Sequence, residues 1–296
     1  MSKRLGAAVA LCLLGGCAAQ MQPVADFGAA ANRLATAYKP FATGLATSCE
    51  QRARYVALGN PGAFDAAVAQ RAAASQCAPL KEAGVTAALF GQALAEYATA
   101  LAKASGAKAT VFDSDLRGMT GVAGKLVARD GTALFDSTKL GAASKIARAA
   151  AVLATQGRLE VLTRATLQDN HAALTIVVEA MKSYAGSVYA GQLVDTHDVL
   201  AGELGRLVLA SDAATPADVE SRLPWRFAQA AAGADIAANE LEMRRVRAFA
   251  KTADALVAAH ADLIANFDKI GGARRLELVS AFVAQVQAIT DDAAAL

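Results

Sequence analysis

Apolar positions recur along this chain at alternating steps of four and three residues, the spacing that lines side chains along one face of an α-helix. Phe27, Ala31, Leu34, Tyr38, Phe41 and Leu45 form the first such stripe. Pro40 falls inside it and predicts a kink, because proline has no amide hydrogen for helix bonding. Gly59-Asn60-Pro61-Gly62 marks a turn. A second helix is expected from about Ala63 to Cys77, broken near Pro79. A third carries Ala87, Phe90, Leu94, Tyr97, Leu101 and Ala104, and Ser105-Gly106 stops it.

The same period continues beyond. Asp113-Ser114-Asp115 offers an N-cap for a shorter helix bearing Leu116, Met119, Ala123 and Leu126, which Asp130-Gly131 ends. The next helix runs from Ser137 through Ile146 and Leu153 to Gln156-Gly157, and a long one from Leu159 to about Leu209, loosened near Gly186. Gly191, Gly202 and Gly205 weaken this long helix unless a neighbour packs close to them. Thr215-Pro216-Ala217-Asp218 has the form of a helix start: a capping hydroxyl, proline at the first position and an acid in the first turn. Pro224 predicts a bend or restart before Trp225, a lone tryptophan expected in the core. The cleanest series then follows, Val246, Phe249, Ala253, Leu256, His260, Leu263, Phe267 and Ile270, ended by Gly271-Gly272. The last helix carries Leu276, Val279, Val283 and Val286.

Composition sharpens the fold class. Apolar residues make 55% of the chain and aromatics only 5%, so alanine, the strongest helix former, supplies much of the apolar surface. Strand-type runs of alternating Val, Ile and Thr are missing. The expectation is an all-α protein, an elongated antiparallel helical bundle with long helices. A helix from Arg226 to Lys269 alone would span roughly 65 Å at 1.5 Å per residue.

The first segment departs from this pattern. Lys3 and Arg4 give a positive start, Leu5 to Leu14 is uncharged and mostly apolar, and Gly15-Gly16 supplies small residues before Cys17. That is the form of a secretory signal, too short to span a bilayer permanently. The string Leu14-Gly15-Gly16-Cys17 resembles the lipobox of bacterial lipoproteins. The resemblance implies cleavage before Cys17, lipidation of that cysteine with palmitate-type chains, and, since Ala18 is not aspartate, sorting to the outer membrane with the protein facing the periplasm. Two or more acyl chains anchor stably, at about 0.8 kcal/mol per buried methylene. The expected organisation is a signal peptide over 1–16, a lipidated N-terminus and tether over 17–23, and one helical domain over 24–296.

Cleavage there changes the charge. Of 29 Lys and Arg, only Lys3 and Arg4 precede Cys17 and no acid does, so the remainder balances 27 acids and is near neutral. A neutral chain argues against nucleic acid as a partner, because phosphate binding needs excess cationic charge. Cys12 leaves with the signal. Cys49 and Cys77 remain as an even pair, expected to form a disulfide in an oxidising compartment. They flank the Asn60-Pro61 turn but at unequal distances from it, so something near Pro61 must absorb the offset.

Candidate chemistry is sparse. Gln168, Val194 and Val257 stand three residues before His171, His197 and His260, so the Glu-x-x-His pattern of di-iron bundles fails at each. Asp195, His197 and Asp198 contain metal-ligand types, but neighbouring helix positions point apart. His260, inside an apolar stripe, is expected as a hydrogen-bonded core residue. Ser105-Gly106-Ala107-Lys108 resembles the acylating motif of penicillin-recognising enzymes, yet the Ser-Asp-Asn and Lys-Thr-Gly elements are missing and a helix-ending loop explains it better. No metal and no cofactor are expected. Arg244, Arg245, Arg247 and Lys251 form a basic run, a candidate surface for an acidic partner or headgroup, with Glu240 and Glu242 spaced to pair with Arg244 and Arg245.

These features lead to a non-enzymatic, lipid-anchored envelope protein that scaffolds or binds another envelope protein. Two alternatives stand beside it. One is a membrane-active helical protein, for which Ala-rich 141–157 is the best segment although Lys145 and Arg148 interrupt it. The other is an enzyme or ligand carrier whose site is scattered over several helices.

Overall fold

The computed structural model describes residues 21–59, 64–106, 133–156, 160–213, 219–269 and 277–294. These residues are almost entirely helical and contain no β-strand. In chain order, α1 is Gln22–Leu58, α2 Ala66–Ala104, α3 Ser137–Gln156 and α4 Glu160–Ser183. A π-helical turn, Tyr184–Tyr189, joins α4 without a break to α5, Ala190–Ala213. Then come α6, Val219–Asn266, which tightens into a 3-10 turn at Phe267–Lys269, and α7, Glu277–Ala294. At 48 residues, α6 is about 72 Å long.

Cross-helix contacts fix the directions. Residue numbers on α1 rise as those on α2 fall: Gly28 meets Ala98 and Ala102, Tyr38 meets Gly91, Ala42 meets Gly84, and Cys49 meets Cys77. The two are antiparallel. So are α1 and α6, through Phe27 with His260, Phe41 with Phe249, and Tyr55 with Asp235. Helix α5 runs parallel to α1, as Gly44 with Tyr189 and Ser48 with Thr196 show. Helix α7 also runs parallel to α1, through Phe27 with Phe282 and Arg33 with Gln287. Helix α3 descends against α4, from Phe135 beside Tyr184 to Lys145 on the Asp169 carbonyl. Counting α4, the π turn and α5 as one rod, the described residues form six helices of the bundle.

Its two ends differ. The proximal half, at the start of α1, contains α3 and α7. Among the described residues, the distal half is left to the C-terminal part of α1, the N-terminal part of α2, α5 and the N-terminal part of α6. Helix α1 lies centrally, packed against α2, α5, α6 and α7.

The expected stripes are the core. All six positions named on α1 and all six on α2 are buried, as are Val246, Phe249, Ala253, Leu256, His260, Leu263 and Phe267 on α6. Each large apolar side chain so buried stabilises by about 1.5–3 kcal/mol relative to exposure. Small residues bring α1 and α2 unusually close. A Cβ added at Gly84 would lie 2.2 Å from the Ala42 carbonyl oxygen, and one at Gly28 would lie 2.6 Å from that of Ala98.

The break expected at Pro79 and the restart offered at Pro224 are corrected. Helix α2 runs unbroken through Pro79, so the two helices expected over 63–104 are one, beginning at Ala66. Helix α6 runs through Pro224 without restarting, and α1 through Pro40. All three prolines are solvent-exposed. For Pro40 and Pro79, the carbonyl that loses its amide partner belongs to Thr36 and Ser75, which are also exposed, so water can replace the missing bond. Trp225 is likewise not core: it is 38% exposed on α6.

Elsewhere local chemistry matches. The Asp65 carboxylate caps α2, accepting from the amides of Ala67 and Val68 at 2.8 and 3.0 Å. Helix α2 ends as expected, with Ser105 as C-cap and Gly106 at φ 99°, a left-handed conformation that glycine adopts freely. The loosening expected at Gly186 is the π turn. In an α-helix, residues five apart are rotated by about 140°, whereas i→i+5 bonding returns them to one side. That is how Tyr184 and Tyr189 both point inward, 0% and 4% exposed. The expected N-cap helix over 113–126, the start at 215–218, Ile270 and Leu276 lie outside the described residues.

Candidate functional site

Some interior polar groups, such as Asn170 and Thr252, bond the preceding turn of their own helix, and others bridge helices. The most enclosed is a chain of three side chains from α2, α6 and α4. Tyr97 Oη lies 3.0 Å from His260 Nε2, and His260 Nδ1 lies 3.0 Å from His171 Nδ1. The two imidazoles are nearly parallel, 7° between planes. Phe27 packs against the His260 ring at 5.5 Å, and Phe282 against Phe27 at 5.7 Å. His260 and Tyr97 are fully buried and His171 half-buried, so the chain has one closed end and one open end. Burial, helped by neighbouring His171, pushes the His260 imidazole down to about 3, and burial pushes the Tyr97 phenol up. His260 is thus the satisfied core residue its stripe predicts. Its partners were not legible, because they sit 163 and 89 residues away in sequence.

Above this chain, beside the π turn, lies an aromatic cluster. Tyr38 packs against Phe41, Tyr184 and Phe249, Phe41 against Tyr189, and Phe135 bridges Phe90 and Tyr184. Tyr184 Oη donates to the Ala42 carbonyl at 3.1 Å, while the Tyr38 hydroxyl is buried with no hydrogen-bond partner among the described residues.

Higher still, α1, α5 and α6 share a polar seam. Ser48 and Thr196 hydroxyls meet at 2.9 Å, and Tyr55 Oη donates to Asp235 at 2.8 Å. Partial burial and the Asp235 carboxylate push the Tyr55 phenol up to about 12. Glu242 pairs with Arg245 and lies beside Tyr189, whose phenol is raised first by burial and then by that carboxylate. These bonds tie helices together.

The basic run divides accordingly. Arg245 turns inward to Glu242, whereas Arg244, Arg247 and Lys251 are exposed along one face of α6. The pairing expected of Glu242 with Arg245 is present. Glu240 instead faces His197, 3.7 Å from its Nε2, and His197 Nδ1 lies 3.6 Å from Asp198. Among the described residues, no three His, Cys, Asp or Glu side chains converge as a metal site would require. Ser105, the first residue of the Ser-x-x-Lys match, gives its hydroxyl to the Leu101 and Ala102 carbonyls of its own helix end.

Cys49 and Cys77 are bonded, with Cα atoms 5.9 Å apart. The offset is absorbed by where the helices end: α1 continues to Leu58 and α2 starts only at Ala66, which places the cysteines nine and eleven residues from the two helix ends. Cys17 lies outside the described residues. At the distal end several apolar side chains are exposed, foremost Leu209 at 72% and Phe227 at 73%. No described helix is long and apolar enough to cross a membrane.

No protein-family model matches the chain, and comparison with curated proteins and with solved structures gives no match.

Proposed function

We propose that this chain is a lipid-anchored periplasmic protein, held to the outer membrane through Cys17, whose helical rod acts without catalysis as a scaffold or docking component of the cell envelope. The supporting observation is the place of Cys17 in the sequence, shortly before the first helix of the rod. The central helix α1 begins at Gln22, five residues after Cys17. An anchor there holds the proximal end near the bilayer and carries the rest of the rod away from it. The exposed face of Arg244, Arg247 and Lys251 flanks Phe249, which packs on Phe41 of α1, about 30 Å along the rod at 1.5 Å per residue. That face suits an acidic protein partner. The interior contacts Ser48–Thr196, Tyr55–Asp235 and Tyr97–His260 are helix-to-helix bonds, which favours a structural role over a chemical one.

The anchor is tested by metabolic labelling with a fatty acid and by membrane fractionation. Cys17→Ala should lose the label and leave the membrane; label retained by that variant overturns the anchoring. Docking is tested separately with a photocrosslinking residue at position 247 in cells. A discrete adduct that disappears on Arg244→Glu with Lys251→Glu supports the basic face. The absence of an adduct, or one indifferent to charge reversal, overturns it.

A further inference from the structure

The proton positions in the Tyr97–His260–His171 chain follow from counting donors and acceptors. Tyr97 Oη has no partner among the described residues except His260 Nε2, and the Tyr97 side chain is fully buried. A buried hydroxyl hydrogen needs an acceptor, so Tyr97 donates and His260 Nε2 is bare. A neutral His260 then carries its proton on Nδ1 and donates to His171 Nδ1. His171 holds its own proton on Nε2, at the half-buried end. Every group is satisfied, and only this direction satisfies every group.

We propose that this chain is an acid-sensitive latch on the proximal half of the bundle, released when His171 takes up a proton. An imidazolium donates from both nitrogens. His171 Nδ1 then faces the Nδ1 hydrogen of His260, and two donors meet where one bond was. The repair is to move the His260 proton to Nε2, so that Nδ1 accepts from His171 and Nε2 donates to Tyr97. That leaves the Tyr97 hydroxyl hydrogen buried without an acceptor. Hopping along the chain cannot make this change. The closed end offers only the Tyr97 proton, and surrendering it to His260 would leave a buried phenolate. His260 must therefore meet water to exchange its tautomer, and it does so only if α4 or α2 moves off α6.

Among the described residues, no charged side chain bonds or pairs with His171 or His260. From α1 the facing side chain is Phe27, itself backed by Phe282 of α7. Of the charged groups on the same stretches, Glu96 of α2 accepts from Gln92, Arg164 of α4 pairs with Asp268, Asp262 of α6 accepts from Asn266, Lys145 of α3 donates to the Asp169 carbonyl, and the Asp169 side chain itself is exposed. The latch is independent of whether Cys17 is lipidated.

The test is nitrogen-15 NMR of the histidine rings, which distinguishes the two neutral tautomers and the imidazolium; the chain has only three histidines. At pH 7.5 His260 should be the Nδ1–H tautomer and His171 the Nε2–H tautomer. On acidification to pH 5, the His260 signals should change form or broaden in step with protonation of His171. Amide exchange in α2, α4 and α6 around these residues, corrected for the intrinsic pH effect, should rise about tenfold, the order expected when one buried donor is stranded. His171→Asn, altered only at the half-buried end, should abolish that rise. An Nε2–H tautomer of His260 at neutral pH overturns the proposal. So does protonation of His171 that leaves His260 and the exchange rates unchanged.

Discussion

Replacing Gly84 by alanine should destabilise the protein, against the ordinary preference of helices for alanine. The new Cβ would stand 2.2 Å from the Ala42 carbonyl oxygen, where about 3.2 Å is needed for contact. A backbone oxygen has no rotamer to escape into, so α1 and α2 must separate by roughly 1 Å at this level. Seven residues away the Cys49–Cys77 bond holds the same two helices, which restricts pivoting. Separation also weakens the Tyr184 bond to the Ala42 carbonyl, about 0.5–1.5 kcal/mol. Overpacking costs about 1–3 kcal/mol, and the gain in helix propensity returns about 1 kcal/mol. The net loss should be about 2 kcal/mol. Gly202 supplies the comparison: nothing lies within 4 Å of a Cβ there, so Gly202→Ala should gain about 0.5–1 kcal/mol. Urea unfolding followed by circular dichroism at 222 nm measures both. A Gly84→Ala protein as stable as its parent would refute the claim that close backbone approach sets the α1–α2 spacing.

Acid should weaken the fold in a defined window. The unfolded His260 takes a proton near pH 6.5 while the folded one resists until about 3, so its contribution is complete above 6.5 and lost as pH falls between those values, about 2 kcal/mol by pH 5. In denaturant titrations His260→Gln should lower the pH slope in that range by about one proton, whatever its stability at neutral pH. Cys49→Ser with Cys77→Ser should cost about 3–4 kcal/mol, from a bond closing a separation of 28 residues, with helicity retained in the absence of denaturant; thermal melts and circular dichroism separate the two effects. Arg245→Ala should destabilise by about 1–3 kcal/mol, because it leaves the partly buried Glu242 without its cationic partner, whereas Arg247→Ala on the exposed face should fall within about 0.5 kcal/mol of the parent in the same unfolding assay.

What the sequence discloses about this molecule divides along a physical line. The stripes of α1, α2 and α6 were legible because each depends on one helix's own period and on burial that any neighbour can supply. The proline errors arose because the cost of an interior proline depends on which side of the helix its orphaned carbonyl faces. Pro79 interrupts the local bonding rule, but it and Ser75 are exposed, and water can complete there what the helix leaves open; Pro224 is likewise exposed on α6. Trp225 misled for the opposite reason: size and apolarity favour the core only where a neighbouring helix arrives, and at the distal end α3 and α7 are absent. The Tyr97–His260–His171 chain was beyond reach altogether. Tyr97 and His260 each belonged to an apolar stripe, and their meeting depends on α2 and α6 being brought to one level around Phe27. The register between helices is set by small-residue contacts such as Gly28 on Ala98 and Gly84 on Ala42, spread over many turns. Periodicity says which face is inward; it does not say which turn of the next helix that face will meet. The partners of a buried polar group follow from the second fact, and so does the chemistry those partners permit.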